Sequence, residues 1–345
     1  ETLISNFVAF SSSVMPAVVP AASRTRSGAR CLKVCLRGAH SRTRNGRRVV
    51  HAPCAPIYVC DAFTSVPFRG NPASVVVLPS DETLHDENYM MNVALEQNHS
   101  ETAFVWPIES KAEEEEEGVL VYGLRWFTPG RVEVELCGHA TVAATTALSH
   151  MLSTSPESEE KSQYSFRFKT KWSGELLVNA TQADDATKWR VSMDFPAAPV
   201  NEMDDEARAL AVCEAVGVTR QSAVFVGTTA LNNDIMVVLD DAEAIGALTP
   251  DMQKLMSDTV GQHRGVIVCA AGADDSDEDF VSRFWGPRVG IEEDPVTGSA
   301  HCSLAPYFKD VLLGASDNRP MRAAQLSDRR GVLTAICKDD GRVQL

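Results

Sequence analysis

Alternating apolar and polar positions along the chain predict many short strands interrupted by a few helices. Short apolar runs bounded by Gly, Pro, Asn or Asp are typical of strands, and apolar residues three and four positions apart are typical of helices. Strands are predicted at 57–63, 73–78, 102–106, 119–128, 165–170, 175–180, 189–195, 223–226, 235–239, 266–270 and 280–285. Helices are predicted from residue 80 or 81 to 97, at 140–152, 202–216 and 250–260, and from about Ser299 onward.

The predicted helix at 140–152 is apolar or small on every side. A helix of that kind is buried on all faces. Interspersed strands with few helices, one of them buried, favour an α+β fold of mixed β-barrels around a helix over a doubly wound parallel sheet. No GxGxxG or GxxxxGK[ST] motif follows a strand. The pattern therefore does not support a dinucleotide or nucleotide triphosphate site.

The first 55 residues have a different composition. Residues 1–48 contain nine Lys and Arg residues and a single acid, Glu1. An Arg- and Ser-rich, acid-poor segment of this kind is typical of a transit peptide. We therefore expect an intracellular protein that is directed to a plastid or a mitochondrion. If the segment is only a disordered extension, we expect a cytoplasmic protein. Folded domains are expected at 56–187 and 188–345.

Charge and cysteine spacing narrow the function classes. The chain has 32 basic residues, of which 23 lie after residue 48, and 47 acidic residues, of which 46 lie after it. So strong an excess of acidic residues disfavours nucleic-acid binding. No apolar run approaches the ~18 residues of a membrane helix, so no membrane partner is expected. The nine cysteines show no CxxC pair or Cys/His cluster. Neither a disulfide framework nor a metal site is predicted.

Two segments share a layout that points to a binding site. Each runs from a strand through a loop to a Gly at the start of a helix, at 137–141 (CGHAT) and at 294–300 (DPVTGSA). Backbone N–H groups at a helix start bind carboxylates, and Gly lets a ligand approach them closely. Two such helix starts predict a site for a small acidic substrate. Ordinary helix capping is the alternative for each motif taken alone.

Three side chains near these motifs are candidates for proton transfer. Glu101 lies beside apolar residues at a strand entry, where burial would raise its pKa toward that of a general acid–base. His139 lies at a helix start, and Asp294 precedes a proline. Each also has a structural interpretation, as a surface acid, a helix-start residue and a turn former. Cys137 is interpreted as a buried, inert residue.

Five ordered motifs together resemble the PhzF-like family of phenazine biosynthesis-like proteins, which is related in fold to diaminopimelate epimerase. They are 61–73 (DAFTSVPFRGNPA), 98–105 (NHSETAFV), 124–129 (LRWFTP), 136–141 (LCGHAT) and 293–301 (EDPVTGSAH). The resemblance extends over about residues 56–345. It implies two pseudo-symmetric domains, each a β-barrel around a central helix, with the active site in the cleft between them.

The resemblance also assigns roles. It makes Glu101 the acid–base residue, with His139 and Asp294 assisting. The substrate contacts that it implies are Ser100, Gly138, Gly298 and Ser299. The implied reaction is a cofactor-free proton shift on a small carboxylate, in a homodimer, with no cofactor and no metal. This sequence departs from the pattern of the family in two places. The loop at 130–135 is one residue longer than usual. The chain also ends before the strand that usually returns to the first domain.

Three functions remain open. An isomerase of a small carboxylate is the leading interpretation. An epimerase or racemase needs two bases on opposite faces of the substrate, and Glu101 is the one obvious base. A non-catalytic binding protein on the same scaffold is the third, since a fold does not determine a function.

Overall fold

The computed structural model describes residues 30–35, 54–80, 85–109, 118–155, 161–185, 187–313 and 317–345. The described residues form two compact units, one of those up to residue 60 and from 72 to 191, and the other of 61–71 and those from 192 to 345. The division at 191/192 lies close to the predicted one after residue 187. No helix in the described part of the chain combines the length and the apolar composition that crossing a membrane requires.

The first unit contains eight strands and two helices among its described residues. They are β1 (Arg30–Cys35), β2 (Cys54–Ala62), β3 (Asn71–Val77), α1 (Glu87–Gln97), β4 (Thr102–Pro107), β5 (Val119–Phe127), β6 (Glu133–Val134), α2 (Gly138–Ser153), β7 (Gln163–Lys169) and β8 (Glu175–Gln182). Strand β3 pairs parallel to β4, β4 antiparallel to β5, β5 parallel to β7, and β7 antiparallel to β8. Strands β1 and β6 add antiparallel pairs to β2 and β5.

Helix α2 is the buried helix that the sequence predicted. Nine of its sixteen residues are buried, most of them Ala, Thr or Ser. Its threonines do not leave their hydroxyls unpaired: Thr141 and Thr145 donate to the carbonyl oxygens of the residues four positions earlier. Such local bonds satisfy polar groups inside a core. Small residues thus allow strands to pack closely around the helix.

Among its described residues, the second unit contains the remaining strands and four α-helices. They are β9 (Trp189–Pro196), β10 (Val200–Glu202), α3 (Glu206–Val216), β11 (Ala223–Thr229), β12 (Ile235–Leu239), α4 (Ala242–Gly246), α5 (Met252–Leu255), β13 (Val266–Ala271), β14 (Phe280–Trp285), α6 (Gly298–Phe308), β15 (Met321–Gln325), β16 (Gly331–Cys337) and β17 (Arg342–Gln344). Strand β12 pairs parallel to β13, β13 antiparallel to β14, β14 parallel to β15, and β15 antiparallel to β16. Strand β17 pairs with β16 and β9.

The sheet of the second unit buries both of its faces. Along β12, Val237 packs in a cluster with α3, α4 and α5, whereas Met236 and Val238 pack in a cluster with α6. Successive side chains of a strand point to opposite faces, so a strand covered on both sides is apolar at every position. All five residues of β12 are buried.

The two units repeat one order of strands. In each, a parallel pair is followed by an antiparallel, a parallel and an antiparallel pairing. In each, the buried helix, α2 or α6, lies in the chain between the two strands of the second parallel pair, β5 and β7 or β14 and β15. The predicted α+β fold with two similar units is therefore confirmed.

Element boundaries differ from the predictions at helix starts. Helix α3 begins at Glu206 because the Asp205 side chain accepts the N–H of Arg208 and so caps the helix. The helix predicted at 250–260 is the four-residue α5, and α4 was not predicted. Strand β1 lies inside the predicted transit peptide. The neighbouring residues 1–29 and 36–53 lie outside the described residues, and the transit peptide stays a prediction.

Candidate active site

The Glu101 carboxyl lies at the entry to β4 and is nearly buried. Its side chain is 12% exposed. Burial raises the pKa of Glu101, and hydrogen bonds with the side chains of Ser100 and Cys137 partly offset that rise. Burial favours the neutral form of a carboxyl because it removes water from the charged form. The predicted buried environment of Glu101 is therefore present.

His139 faces Glu101 from the second position of α2. Its Nε2 atom lies 3.3 Å from Glu101 Oε2 and 3.2 Å from Ser100 Oγ. The imidazole is 8% exposed. Strand β4 and helix α2 pack against each other, which brings Glu101 and His139 together although they are 38 positions apart in the sequence. The structure thus places Ser100, Glu101 and His139 in one hydrogen-bonding cluster.

Cys137 belongs to the same cluster, which sequence reasoning did not predict. Its Sγ atom lies 3.5 Å from His139 Nδ1, and the thiol also hydrogen-bonds with the Glu101 carboxyl. The thiol is buried, as expected. The sequence contained one usable signal, since a Cys two residues before a His at a helix start can contact its ring.

The start of α2 has no side-chain cap. Cys137 is its N-cap residue, yet its side chain accepts no hydrogen bond from the helix. The first N–H groups of a helix have no partner within the helix, and they carry its positive dipole end. Gly138 stands first in the helix and has no Cβ to hinder a ligand. The predicted carboxylate contact at Gly138 is compatible with this geometry.

Asp294 is buried in the second unit and is engaged by its neighbours. Its Oδ1 accepts a hydrogen bond of 2.7 Å from Asn71 Nδ2, and its Oδ2 accepts one of 2.6 Å from Thr297 Oγ1. The Gln325 amide donates to the Asp294 carbonyl oxygen and accepts the N–H of Thr297. These bonds hold the loop before α6 in place. The local contacts of Asp294 are those of a residue that shapes the start of α6.

The start of α6 resembles that of α2 but has different side chains. Thr297 occupies the N-cap position that Cys137 occupies in α2, and it also makes no side-chain cap. Gly298 is again the first helical residue, followed by Ser299. The two helix starts therefore make Thr297 the counterpart of Cys137. The second unit therefore lacks the matching thiol.

An arginine missed by sequence reasoning holds Ser299. Arg264 Nη2 donates to Ser299 Oγ at 3.0 Å, and the guanidinium is paired with the buried Asp234 at 2.8 and 2.5 Å. Arg264 and Ser100 each lie two residues before the second strand of their parallel pair. Both contact the second residue of the buried helix. The residue after Arg264 is Gly265, so the second unit has no counterpart of Glu101.

The predicted site residues therefore fall into two groups. Ser100, Glu101, Gly138 and His139 lie together in the first unit, and Asp294, Gly298 and Ser299 lie together at the start of α6 in the second. Joint action of the two groups stays a prediction.

Comparison with known proteins agrees with these motifs. The PhzC-PhzF family, described as phenazine biosynthesis-like protein, matches residues 60–344. An uncharacterized isomerase of Pseudomonas aeruginosa is 41% identical over 256 residues, 74% of this chain and 82% of the relative. The human phenazine biosynthesis-like domain-containing protein is 33% identical over 300 residues, 84% and 94% of the two chains. A crystal structure of a PhzF-family protein from Enterococcus faecalis matches with a TM-score of 0.65 at 34% identity, covering 84% and 94%.

Proposed function

The chain belongs to the PhzC-PhzF family of phenazine biosynthesis-like proteins, and from this premise we propose that it is an isomerase that moves a proton on a small carboxylate by general acid–base catalysis. Relatives from Pseudomonas aeruginosa and Halalkalibacterium halodurans carry the name of isomerase. That name supports the reaction class. The proposed mechanism rests on the chain's own residues.

The observation that carries the proposal is the contact between Glu101 and His139. A buried carboxyl with a raised pKa lies 3.3 Å from an imidazole nitrogen. Acid–base catalysis is most effective when the pKa of the catalytic group lies near the working pH. Burial raises the pKa of Glu101 toward neutral pH, and the His139 imidazole is a hydrogen-bonding group beside the carboxyl. This pair can accept a proton from carbon and return it.

The proposed steps use these groups in order. The Glu101 carboxylate removes a proton from a carbon next to the unsaturated part of the substrate. The electron pair moves into the adjacent π system, and the Glu101 carboxyl then returns the proton to a different carbon. Backbone N–H groups at the start of α2 bind the substrate carboxylate and stabilise the negative charge that develops. Preorganised donors of this kind commonly lower a barrier by a few kcal/mol.

The residues of the second unit have supporting roles in the proposal. Gly298 and Ser299 present N–H groups at the start of α6, and Asp294 holds the loop that precedes it. No step is assigned to a metal or an organic cofactor. The proposal therefore expects undiminished turnover after exhaustive dialysis against a chelator.

Deuterium uptake tests the proposal directly. The purified protein is incubated in D₂O with a panel of small unsaturated carboxylic acids, and the position of deuterium is mapped by NMR. We expect uptake with the double bond moved to a new position. The Glu101→Gln variant should lose uptake by at least about 100-fold, the lower range for a general base. Glu96→Gln, the same change at an exposed residue of α1, is the matched control.

Two outcomes would contradict the proposal in different ways. Uptake that persists in Glu101→Gln would remove Glu101 from the mechanism. Deuterium that appears at an unmoved stereocentre, with inversion, would favour an epimerase or racemase.

A further inference from the structure

Three chemically different metal ligands meet in the first unit. A carboxylate oxygen of Glu101, the Cys137 thiol and a ring nitrogen of His139 all lie within 4.8 Å of one another. Cys137 and His139 are buried, and Glu101 is nearly so. Thiolate, imidazole and carboxylate are the groups that bind zinc in proteins. Spacing along the chain predicted no metal site because Glu101 is far from Cys137 in sequence.

The distances are close to those of a zinc site. Tetrahedral zinc with bonds of ~2.0–2.3 Å places nitrogen and oxygen ligands ~3.3 Å apart and nitrogen and sulfur ligands ~3.6 Å apart. Here Glu101 Oε2 lies 3.3 Å from His139 Nε2, and Cys137 Sγ lies 3.5 Å from the other ring nitrogen, Nδ1. One ion binds one ring nitrogen, so a zinc site requires one side chain to change rotamer. That movement is short, because the three ligand atoms already lie within 4.8 Å of one another.

We propose that Glu101, Cys137 and His139 form a zinc-binding site whose occupation blocks the proton transfer. Three protein ligands leave a fourth position for water or a substrate carboxylate. The thiolate and the carboxylate neutralise the charge of Zn²⁺, which suits a nearly buried site. A softer ligand set than carboxylates alone selects zinc over Mg²⁺ or Ca²⁺.

The block follows from the ligands themselves. Zinc bound to the Glu101 carboxylate and the His139 imidazole withdraws electron density from both groups, and its positive charge makes them much weaker bases. Zinc would thus act as a reversible inhibitor, displaced by a chelator. Only this consequence rests on the proposed function. Metal binding itself is independent of it.

Cobalt provides the direct test, because Co²⁺ bound to a thiolate shows a charge-transfer absorption. The full chain, stripped of metal and kept reduced, is titrated with Co²⁺ and then with Zn²⁺ in competition with a chromophoric chelator. We expect one Co²⁺ per chain with the thiolate band, and displacement by Zn²⁺. Cys137→Ser should lose the band and bind zinc more weakly by over ~100-fold, the upper loss for a residue outside the ligand shell.

Cys302→Ser is the matched control. It makes the same change at a buried cysteine of α6 whose Sγ contacts the Gly298 carbonyl oxygen, and it should keep the band. Thermal melts check folding, since zinc should raise the Tm of the wild type but not of Cys137→Ser.

A missing thiolate band, or a band that persists in Cys137→Ser, would overturn the zinc site. Zinc binding that leaves deuterium uptake undiminished would overturn the inhibition. Absence of deuterium uptake in metal-free protein would contradict the proposed function and leave the binding result intact.

Discussion

At the scale of single residues, Arg264 is the main partner of the buried Asp234 carboxylate, which also accepts the Gly265 N–H. Its side chain is 1% exposed, and both of its oxygens accept hydrogen bonds from Arg264. Burial raises the pKa of Asp234, and the Arg264 guanidinium opposes that rise. A buried ion that loses its partner destabilises a fold far more than the pair stabilises it. Arg264 also reaches Ser299, so it connects the sheet with the start of α6.

Arg264→Leu should therefore lower the free energy of unfolding strongly. Breaking a buried pair costs about 3–5 kcal/mol, and we expect the lower end because the Arg264 side chain is 32% exposed. Urea denaturation measures the change. The double variant Asp234→Asn/Arg264→Leu, which removes the buried charge, should recover part of the loss. A single variant as stable as the wild type would show that Asp234 does not rely on Arg264.

At the scale of elements, an ion pair joins β9 to β17, the last strand of the chain. Asp194 on β9 accepts hydrogen bonds from Arg342 on β17, and it lies 3.1 Å from Lys338 Nζ. Burial acts to raise the pKa of Asp194, but the bonds from Arg342 and Lys338 outweigh it and lower that pKa. A carboxyl whose pKa is lower in the folded state stabilises the fold only while it is ionised.

The free energy of unfolding should depend on pH through this ion pair, and the lowered pKa of Asp194 gives the sign of that dependence. The contribution of Asp194 is present at neutral pH, above the unfolded pKa of about 3.9, and is lost as the pH falls through the lower folded pKa. Asp194→Asn should therefore unfold at lower urea than the wild type at pH 7, with a gap that narrows below about pH 4. Asp240→Asn, at an exposed acid after β12, should show no comparable gap. A gap that widens in acid would contradict the assignment.

At the scale of the whole molecule, a segment from the first half of the sequence packs with the second unit. Residues 61–71 belong to that unit. Asp61 accepts the N–H of Phe68 and pairs with Arg329, and the Gly70 N–H donates to the Arg330 carbonyl oxygen. The segment also supplies Asn71 to Asp294. The loop that precedes α6 is thus held by residues more than two hundred positions away.

Limited proteolysis tests this packing. Asp61→Ala removes the acceptor of Phe68 and the partner of Arg329, so the segment should open more often and trypsin should cleave after the exposed Arg69 several-fold faster. Asp328→Ala changes a neighbouring exposed acid whose backbone oxygen, not its side chain, contacts Arg69. Its cleavage rate should match the wild type. Equal rates for both variants would show that Asp61 does not hold the segment.

The sequence by itself determined the local features and the family. Apolar runs marked the strands, small residues marked α2 as buried, and five motifs showed the family and predicted Glu101, His139 and Asp294 as site residues. These properties depend on neighbours in the chain, so periodicity and composition record them. Tertiary structure alone decided that Glu101 contacts His139, that Arg264 holds Ser299 and that residues 61–71 join the second unit. Those contacts join distant strands and helix starts, and they depend on strand pairing, which no local pattern specifies.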